Sequence, residues 1–360
     1  YCRGNLKWDF YGKFTWPHGG KMNLAGTGIK AINFCEPDDF ITSSSIESDL
    51  SDVYERLKLP VGRIEMQTGV ISRGVYLEKK PSDIASIAAS NLFSQDGIDP
   101  ASIDLLIYTG VCRDFLEPST ASMIHDNLKL RPDCQSFDLS NACLGFVNGM
   151  SLAASLIKGG SIKNVLVVTG ENSKPLIDFT LRAMKDEKQT RKSIKKYFAN
   201  FSIGSAGVAA VISGSDLLGE FTTYSSLSDS SANKLCQGSG NLEELVMETD
   251  SEELMQKGIS LAKTNWLSFS KETDMKQNDF QHFICHQVGI HHRDFMYKSL
   301  ELDLAKDHTT FDRYGNTGSA ALPLTLAKAF MGNKFKKHDE IAMLGIGSGL
   351  HTIMMGVKWC

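Results

Sequence analysis

The feature that most constrains the fold is an alternation of apolar strands and helices that occurs twice along the 360 residues. A helical stretch at 83–93, an apolar run at 103–108 and a second helical stretch at 119–128 follow one another in the first half. Such alternation predicts an α/β sheet. In the second half, Phe283-Ile284-Cys285-His286 resembles Leu106-Ile107-Tyr108-Thr109. Two similar α/β halves are the simplest explanation.

The matching continues beyond these strands. A helix at 144–157 ends at Gly159-Gly160 and leads into a strand at 164–169, as a helix at 322–331 leads into a strand at 341–344. Phe137-Asp138 precedes Cys143 much as Phe311-Asp312 precedes Asn316, so we expect equivalent places for the two dipeptides. The predicted halves are 22–216 and 217–360, meeting near 214–219. Residues 1–21, rich in aromatic residues and glycine, are predicted to be an extension outside the fold.

Composition excludes several classes of function. A hydrophobic content of 42%, a charged content of 22% and a net charge of -4 are ordinary for a globular protein and give no reason to expect a nucleic-acid partner. No apolar run approaches the roughly 18 residues of a membrane span, so a soluble protein is expected. The eight cysteines are scattered, with no C-x-x-C pair, which favours a reduced, cytoplasmic location.

Cys143 is the candidate nucleophile because it lies between a predicted strand end and a long apolar helix. A helix start favours a thiolate over a thiol, and attack by that thiolate would leave an acyl group on sulfur. The alternative is that Cys143 is one more buried packing residue, which is the commoner use of cysteine. We expect that use for Cys285, because neighbours in a strand point to opposite faces.

Two polar residues are candidates for the partners of Cys143. His286 and Asn316 occupy equivalent strand-to-helix ends, and the two-fold repeat would bring them towards Cys143. A neutral imidazole N–H and an amide NH₂ aimed at one point form an oxyanion hole. A second hole is predicted from the backbone N–H groups of Cys143 and Ser348, with Gly347 allowing the substrate to approach the chain closely.

Two other patterns receive less specific interpretations. His282, His286 and His291-His292 are close in sequence, but the strand predicted at 280–285 lacks the helical geometry of a metal site, so no metal is expected. The charged insertion at 183–197 has no evident apolar face and predicts solvated surface. Attraction of phosphate at the mouth of a coenzyme tunnel is the alternative for that insertion.

Four motifs carry a family resemblance. Asn141-Ala142-Cys143-Leu144-Gly145-Phe146, Cys285-His286-Gln287, Tyr314-Gly315-Asn316-Thr317-Gly318-Ser319-Ala320 and the late Gly-Ile-Gly-Ser-Gly resemble the thiolase superfamily, in its β-ketoacyl-ACP synthase III branch. The resemblance spans nearly all of 22–360. It implies a thiolase-like fold with α-β-α-β-α layers, Cys143 as the acyl carrier, and His286 and Asn316 as ligands of the second substrate's thioester oxygen. It also implies CoA thioesters as substrates, with no cofactor.

Two segments of the sequence differ from synthase III enzymes, and these differences point to a particular group within the superfamily. The tryptophan and arginine that synthase III enzymes have just before Thr-Gly are not at their expected places in 63–69. The segment 111–120 is similar to a loop of the OleA-type enzymes, which condense two acyl-CoAs head to head in long-chain olefin synthesis. Its glutamate corresponds to Glu117, so the resemblance implies a base that removes an α-proton inside the partner subunit of a homodimer. The alternative for Glu117 is pairing with the dipole of the following helix.

The expected reaction is therefore a non-decarboxylative Claisen condensation of two fatty acyl-CoAs to a 2-alkyl-3-oxoacyl product. A decarboxylating synthase III that uses malonyl-ACP, with a structural Glu117, is the enzymatic alternative. A non-catalytic subunit that only shapes a partner's acyl tunnel is the alternative from another class. The presence of Cys143 with His286 and Asn316 argues against the non-catalytic subunit.

Overall fold

The computed structural model describes residues 22–240, 245–286 and 288–360. The predicted extension 1–21 and Gln287 of the Cys-His-Gln motif lie outside these residues. The described strands, in chain order, are β1 Gly28–Cys35, β2 Asp39–Thr42, β3 Ser72–Val75, β4 Leu105–Tyr108, β5 Gln135–Asp138, β6 Asn164–Glu171, β7 Ala206–Ser213, β8 Gly219–Ser228, β9 Cys236–Gly240, β10 Leu245–Thr249, β11 His282–Cys285, β12 Asp307–His308, β13 Glu340–Gly347 and β14 His351–Trp359.

The α-helices cover much of the remaining described chain. They are α1 Ser43–Asp49, α2 Ser51–Arg56, α3 Arg63–Thr68, α4 Pro81–Gln95, α5 Thr120–Asn127, α6 Gly145–Lys158, α7 Lys174–Lys185, α8 Ser251–Thr273, α9 Ile290–Leu300, α10 Phe311–Tyr314 and α11 Ala321–Met331. None of these helices is both long enough and apolar enough to cross a membrane.

Ten strands form one sheet whose two halves repeat the same pattern. The order is β12-β11-β13-β14-β8-β1-β7-β6-β4-β5. In one half β5, β4 and β6 are parallel and β7 and β1 antiparallel; in the other β12, β11 and β13 are parallel and β14 and β8 antiparallel. The halves join through the antiparallel pair β1 and β8. Because β4 and β11 hold equivalent places, the predicted match of their sequences is confirmed.

The apolar side chains divide the molecule into layers. Helices α6 and α11 share one core with residues from both half-sheets, whereas α4 and α5 contribute to a core with the first half and α8 and α9 to a core with the second. A helix with apolar residues on most sides is stable only when it is buried on most sides, as α6 and α11 are. The predicted α-β-α-β-α layering is therefore confirmed.

The predicted equivalence of the two Phe-Asp dipeptides is wrong. Phe137 and Asp138 belong to β5, but Phe311 and Asp312 begin the helix α10. The strand equivalent to β5 is β12, which ends three residues before Phe311. Phe311 is buried and Phe137 is 36% exposed, so the two phenylalanines pack in different environments.

The expectation of solvated surface for 183–197 is wrong in part. Met184 at the end of α7 is fully buried, and a 3₁₀ stretch, Ser193–Ser202, buries Ile194, Tyr197 and Phe198. These side chains share a core with residues of α1 and α2. The apolar face was not evident because it continues past residue 197, to Phe201, and so lies half outside the charged window. The charged residues between the two buried patches are mostly exposed.

Candidate active site

Cys143 lies in a strained 3₁₀ turn, Ala142–Leu144, immediately before α6 begins at Gly145. Ala142 has a φ of 47°, in the left-handed region. This conformation costs a non-glycine residue about 1–2 kcal/mol, so the surrounding contacts must hold it in place. The position of Cys143 before a helix was predicted correctly, and the strain at Ala142 was not.

The prediction of a favoured thiolate is wrong. The pKa of the Cys143 thiol is raised to about 12, mainly by burial and to a smaller extent by the nearby Glu171 and Cys236. Desolvation disfavours the charged form, and here it outweighs the attraction of the helix start. Cys143 keeps some exposed surface, so a substrate can still reach it.

Asn316 lies just before the corresponding turn of the second half. A 3₁₀ turn, Gly318–Ala320, precedes α11 as the Cys143 turn precedes α6, and the two turns pack against each other. The N–H of Phe146 donates across this contact to the Ser319 hydroxyl at 3.1 Å. The Gly318 N–H donates to the amide oxygen of Asn316 at 3.1 Å, which leaves the amide NH₂ as the donor for a substrate.

His286 follows β11 and its N–H donates to the Leu344 carbonyl in the adjacent β13. Burial lowers the pKa of His286 to about 3, with a further contribution from His292. Burial likewise lowers the pKa of His292 to about 4. The predicted neutral imidazole is therefore supported. The Nδ1 atoms of both rings have no hydrogen-bond partner among the described residues.

The other histidines of this segment do not form a metal site. His282 forms hydrogen bonds with His308 and with Asp339, each at 3.0 Å. Across the described ranges there is no group of three or more His, Cys, Asp or Glu side chains that could hold a metal ion. Cys285 is buried, as expected of a packing residue.

The glycine-rich segment lies beside the Cys143 turn. Ser348 is in the turn between β13 and β14, and both of these strands contact the Cys143 turn. The oxyanion hole expected from the N–H groups of Cys143 and Ser348 stays a prediction. Gly345 and Gly347 have a use that we did not expect, because a Cβ on either would lie 2.5 Å or 2.8 Å from Leu144, the neighbour of Cys143.

Glu117 lies in a loop whose ends are firmly held and whose tip is exposed. Glu117 is exposed, and the preceding Leu116 is 93% exposed. Asp114 is buried and accepts from both the N–H and the hydroxyl of Ser82. At the other end, Asp138 accepts the N–H groups of Thr120 and Ala121 at the start of α5. Asp138 thus does at α5 what the alternative interpretation assigned to Glu117.

Glu171, at the end of β6, is a site residue that the sequence did not reveal. Its side chain is buried, and it accepts N–H groups from Val111 at 2.8 Å, Cys112 at 3.0 Å and Ser319 at 3.1 Å. Burial raises its pKa, while these three hydrogen bonds to the ionised form oppose that rise. The only sequence signal was an acidic residue at the end of a strand otherwise free of charge.

A basic cleft of about 1150 Å³ opens close to the nucleophile. Arg63 at the start of α3 lines it and stacks on the Phe198 ring at 4.6 Å. Thr249 also lines the cleft, and its hydroxyl lies 3.4 Å from the Cys236 sulfur, a neighbour of Cys143. The other basic side chains of the lining come from the charged insertion and from the segment before β9: Lys192, Lys195, Lys196 and Lys234. Glu248, Asp250 and Glu252 also line the cleft, and Glu248 forms an ion pair with Lys196, so the cleft carries a smaller excess of positive charge.

Comparison with known proteins gives two family matches. Residues 137–221 match the family 3-oxoacyl-[acyl-carrier-protein (ACP)] synthase III, and residues 271–359 match its C-terminal family. An acyl-CoA:acyl-CoA alkyltransferase of Xanthomonas campestris is 35% identical over 94% of this chain and 100% of the relative. The enzyme of that name from Shewanella oneidensis is 32% identical over 89% of this chain and 95% of the relative.

Solved structures agree with these matches. A glutamate-to-alanine variant of Xanthomonas campestris OleA superposes with a TM-score of 0.90 at 33% identity, covering 94% of this chain and 99% of that one. A cysteine-to-serine variant of the same protein, with bound lauric acid and lauroyl-CoA, gives 0.88 at 33% identity over 92% and 99% of the two chains. The chain thus belongs to the acyl-CoA:acyl-CoA alkyltransferases, the OleA-type condensing acyltransferases with the synthase III fold.

Proposed function

We propose that this protein joins two fatty acyl-CoA thioesters by a non-decarboxylative Claisen condensation, giving a 2-alkyl-3-oxoacyl product. The contact between the Cys143 turn and the Asn316 turn, with a neutral His286 at the end of β11, is the observation that carries the proposal. The names of the relatives, and the lauroyl-CoA bound to the Xanthomonas protein, support the choice of acyl-CoA as substrate.

In the first half-reaction, Cys143 takes the acyl group from one acyl-CoA. The sulfur attacks the thioester carbon, and the thiol proton leaves with the CoA sulfur, so that free CoA is released. The N–H groups of Cys143 and Ser348 would hold the oxyanion of the tetrahedral intermediate, because the strands on either side of Ser348 contact the Cys143 turn. Because burial raises the pKa of the Cys143 thiol, its proton has to leave during the attack.

In the second half-reaction, Glu117 removes the α-proton of the second acyl-CoA. His286 and the Asn316 amide would donate to the enolate oxygen, as the family resemblance implies. The carbanion then attacks the thioester on Cys143, a carbon–carbon bond forms and the carbon–sulfur bond breaks. The departing Cys143 sulfur recovers a proton, which balances the one taken by Glu117.

We propose that Glu117 acts in the partner subunit of a homodimer. The loop tip is unusually apolar for an exposed segment, with Phe115 43% and Leu116 93% exposed beside the carboxylate. Carboxylates hold the loop at both ends, Glu171 and Asp114 before the tip and Asp138 after it, and so fix its direction. Insertion into an apolar tunnel would strip water from the Glu117 carboxylate and so suit it to proton removal.

The basic cleft is the proposed site for the CoA phosphates. Arg63, Lys192 and Lys195 offer positive charge for binding these phosphates. They would take over a part of the coenzyme binding that the tryptophan and arginine provide in synthase III enzymes. CoA enters as part of the substrates, and no further cofactor is proposed. The seven cysteines of the described residues are all free, which supports a reduced compartment such as the cytoplasm.

The test is product formation from a long-chain acyl-CoA as the sole substrate. The proposal expects free CoA and a β-keto product that retains every carbon of both chains. A requirement for malonyl-ACP with loss of CO₂ would establish the decarboxylating alternative. A folded protein that releases no CoA under either condition would favour the non-catalytic subunit.

A further inference from the structure

The proposed reaction gives no role to Glu171, although this carboxylate lies at the centre of the site. Its Oε1 accepts from Val111 in the loop that leads to Glu117, and also from Ser319 in the turn that follows Asn316. Its Oε2 accepts from Cys112. Val111 and Ser319 come from opposite halves of the chain, and Glu171 joins them through two hydrogen bonds to one oxygen atom.

Glu171 packs closely against the turn that follows Asn316. Gly318 has a φ of +59°, and a Cβ there would lie 3.2 Å from Oε1. Ser319 extends the connection, because its hydroxyl accepts the N–H of Phe146 in α6. The carboxylate is therefore linked by hydrogen bonds to the Glu117 loop, the Asn316 turn and the helix that follows Cys143.

We infer that Glu171 is a positioning residue that couples this chain's own active site to that of its partner. The inference rests on the proposed function, in which the Glu117 loop serves the partner's site while Asn316 and Cys143 serve the chain's own. A displacement of the Asn316 turn would be passed through Glu171 to Val111 and Cys112, and from there to the loop. The connection is short, and Glu171 and Ser319 are buried, so few intervening atoms can absorb the movement.

An ionised carboxylate is suited to this task because it only accepts hydrogen bonds. Glu171→Gln keeps the shape but turns one oxygen into an NH₂ donor. That donor must face either the Cys112 N–H, or the N–H groups of Val111 and Ser319. Either orientation leaves at least one backbone N–H without its acceptor. Glu171→Gln therefore loses a hydrogen bond to the Glu117 loop, and in the second orientation it also loses the one to the turn after Asn316.

Mixed dimers distinguish the effect of Glu171 on its own chain's active site from its effect on the partner's active site. A glutamate-supplying chain carries Cys143→Ala, and a cysteine-supplying chain carries Glu117→Ala, so a mixed dimer holds one complete site. Random pairing of two equal populations in a two-fold dimer leaves about a quarter of the wild-type sites complete. Glu171→Gln is then introduced into one chain or the other, and condensation is measured together with acylation of Cys143.

Glu171→Gln in either chain is expected to lower the rate of condensation about 10- to 100-fold. A loss of this size is typical when a reacting group is displaced by about 1 Å. Glu171→Gln in the glutamate-supplying chain should leave acylation of Cys143 within about twofold, because the acylated site belongs to the other chain. A purely structural role would not produce this separation. Unchanged condensation with either placement overturns the inference.

Two further variants keep the test decisive. Asp104→Asn is the matched control, because Asp104 accepts the N–H groups of Lys163 and Asn164 at the opposite end of β6, and it should leave both reactions unchanged. If Glu171→Gln does not fold, Gly318→Ala in the glutamate-supplying chain replaces it. Its methyl group presses on Glu171 without touching the loop, so the partner's site should lose condensation, and no loss overturns the inference.

The mixed dimers also distinguish failure of the proposed function. If they recover no condensation before Glu171 is changed, Glu117 does not act in the partner subunit, and the two-site coupling is refuted together with that step. If they recover condensation and Glu171→Gln has no effect, only the coupling is refuted.

Discussion

Replacement of Gly347 by alanine should disturb the nucleophile through a single side chain. The added methyl carbon would lie 2.8 Å from Cγ of Leu144 and 3.2 Å from its Cδ1. Carbon atoms pack best at about 3.5–4.0 Å, so Leu144 must move by about 1 Å. Rotation about the Cβ–Cγ bond cannot relieve the contact with Cγ itself. Leu144 is fully buried and follows Cys143 directly, so the strained turn has to move with it.

The size of the effect follows from this geometry. Overpacking of this kind costs about 1–3 kcal/mol in the free energy of unfolding. A 1 Å misplacement of a reacting group lowers its rate up to about 100-fold, so acylation of Cys143 should slow by about one to two orders of magnitude. Denaturant unfolding gives the stability, and intact-protein mass at short times after addition of acyl-CoA gives the acylation rate.

A second substitution tests the cause. Leu144→Ala alone should cost about 2–5 kcal/mol, but it removes the atoms that Gly347→Ala meets. The double variant should therefore be more stable than the sum of the single effects predicts, by about 1 kcal/mol or more. Gly214→Ala is the control, because its Cβ would meet nothing closer than 3.6 Å. Wild-type acylation and stability in Gly347→Ala, or additive costs in the double variant, would refute the reasoning.

Three further predictions concern single groups. Glu117→Gln should retain acylation of Cys143 but lose condensation by about 10²–10⁴-fold, because only the second half-reaction needs a base; equal loss of both would contradict this. Alkylation of Cys143 by iodoacetamide should rise about tenfold per pH unit from about pH 7 to about pH 10, since burial raises the pKa to about 12, and a plateau below about pH 9 would contradict it. Burial lowers the pKa of His292 to about 4, so as pH falls from about 6.5 the unfolded chain binds a proton that the folded chain refuses. Stability should therefore fall by up to about 1.4 kcal/mol per pH unit in this window, and His292→Gln should flatten the slope in urea unfolding; an unchanged slope would count against a buried neutral ring. Burial raises the pKa of Asp307 to about 6, which makes the folded protein more stable as pH falls. This contribution is the same in the wild type and in His292→Gln, so it cancels when their slopes are compared.

The architecture, and the places of Cys143 and Asn316 ahead of apolar helices, were predictable because their signals are local. Strand and helix periods lie within a few residues, and Cys143 and Asn316 each precede an apolar helix visible in the sequence. The repeat then relates the two halves without any knowledge of distances. The Phe-Asp match failed because two residues are too few to specify a strand, and Phe311 and Asp312 begin a helix instead.

The features that sequence reasoning missed depend on contacts between distant segments. Glu171 accepts hydrogen bonds from Val111, 60 residues away in the sequence, and from Ser319, 148 residues away. The residues next to Glu171 in the sequence therefore give no indication of these contacts. The raised pKa of Cys143 likewise arises from burial by other segments, whereas the helix-start argument considers only its own helix. The packing of Leu144 against Gly345 and Gly347 joins two motifs that the sequence analysis treated as independent.

Acylation of Cys143 is the claim on which the rest of the account depends. The most direct measurement is the intact mass and peptide map of the protein after brief exposure to a long-chain acyl-CoA alone, with Cys143→Ser as the matched control. The account predicts one acyl group per chain as a thioester on the Cys143 peptide, labile to hydroxylamine, and no thioester in the serine variant. A folded protein that gains no acyl mass, or gains it on another residue, would contradict the account.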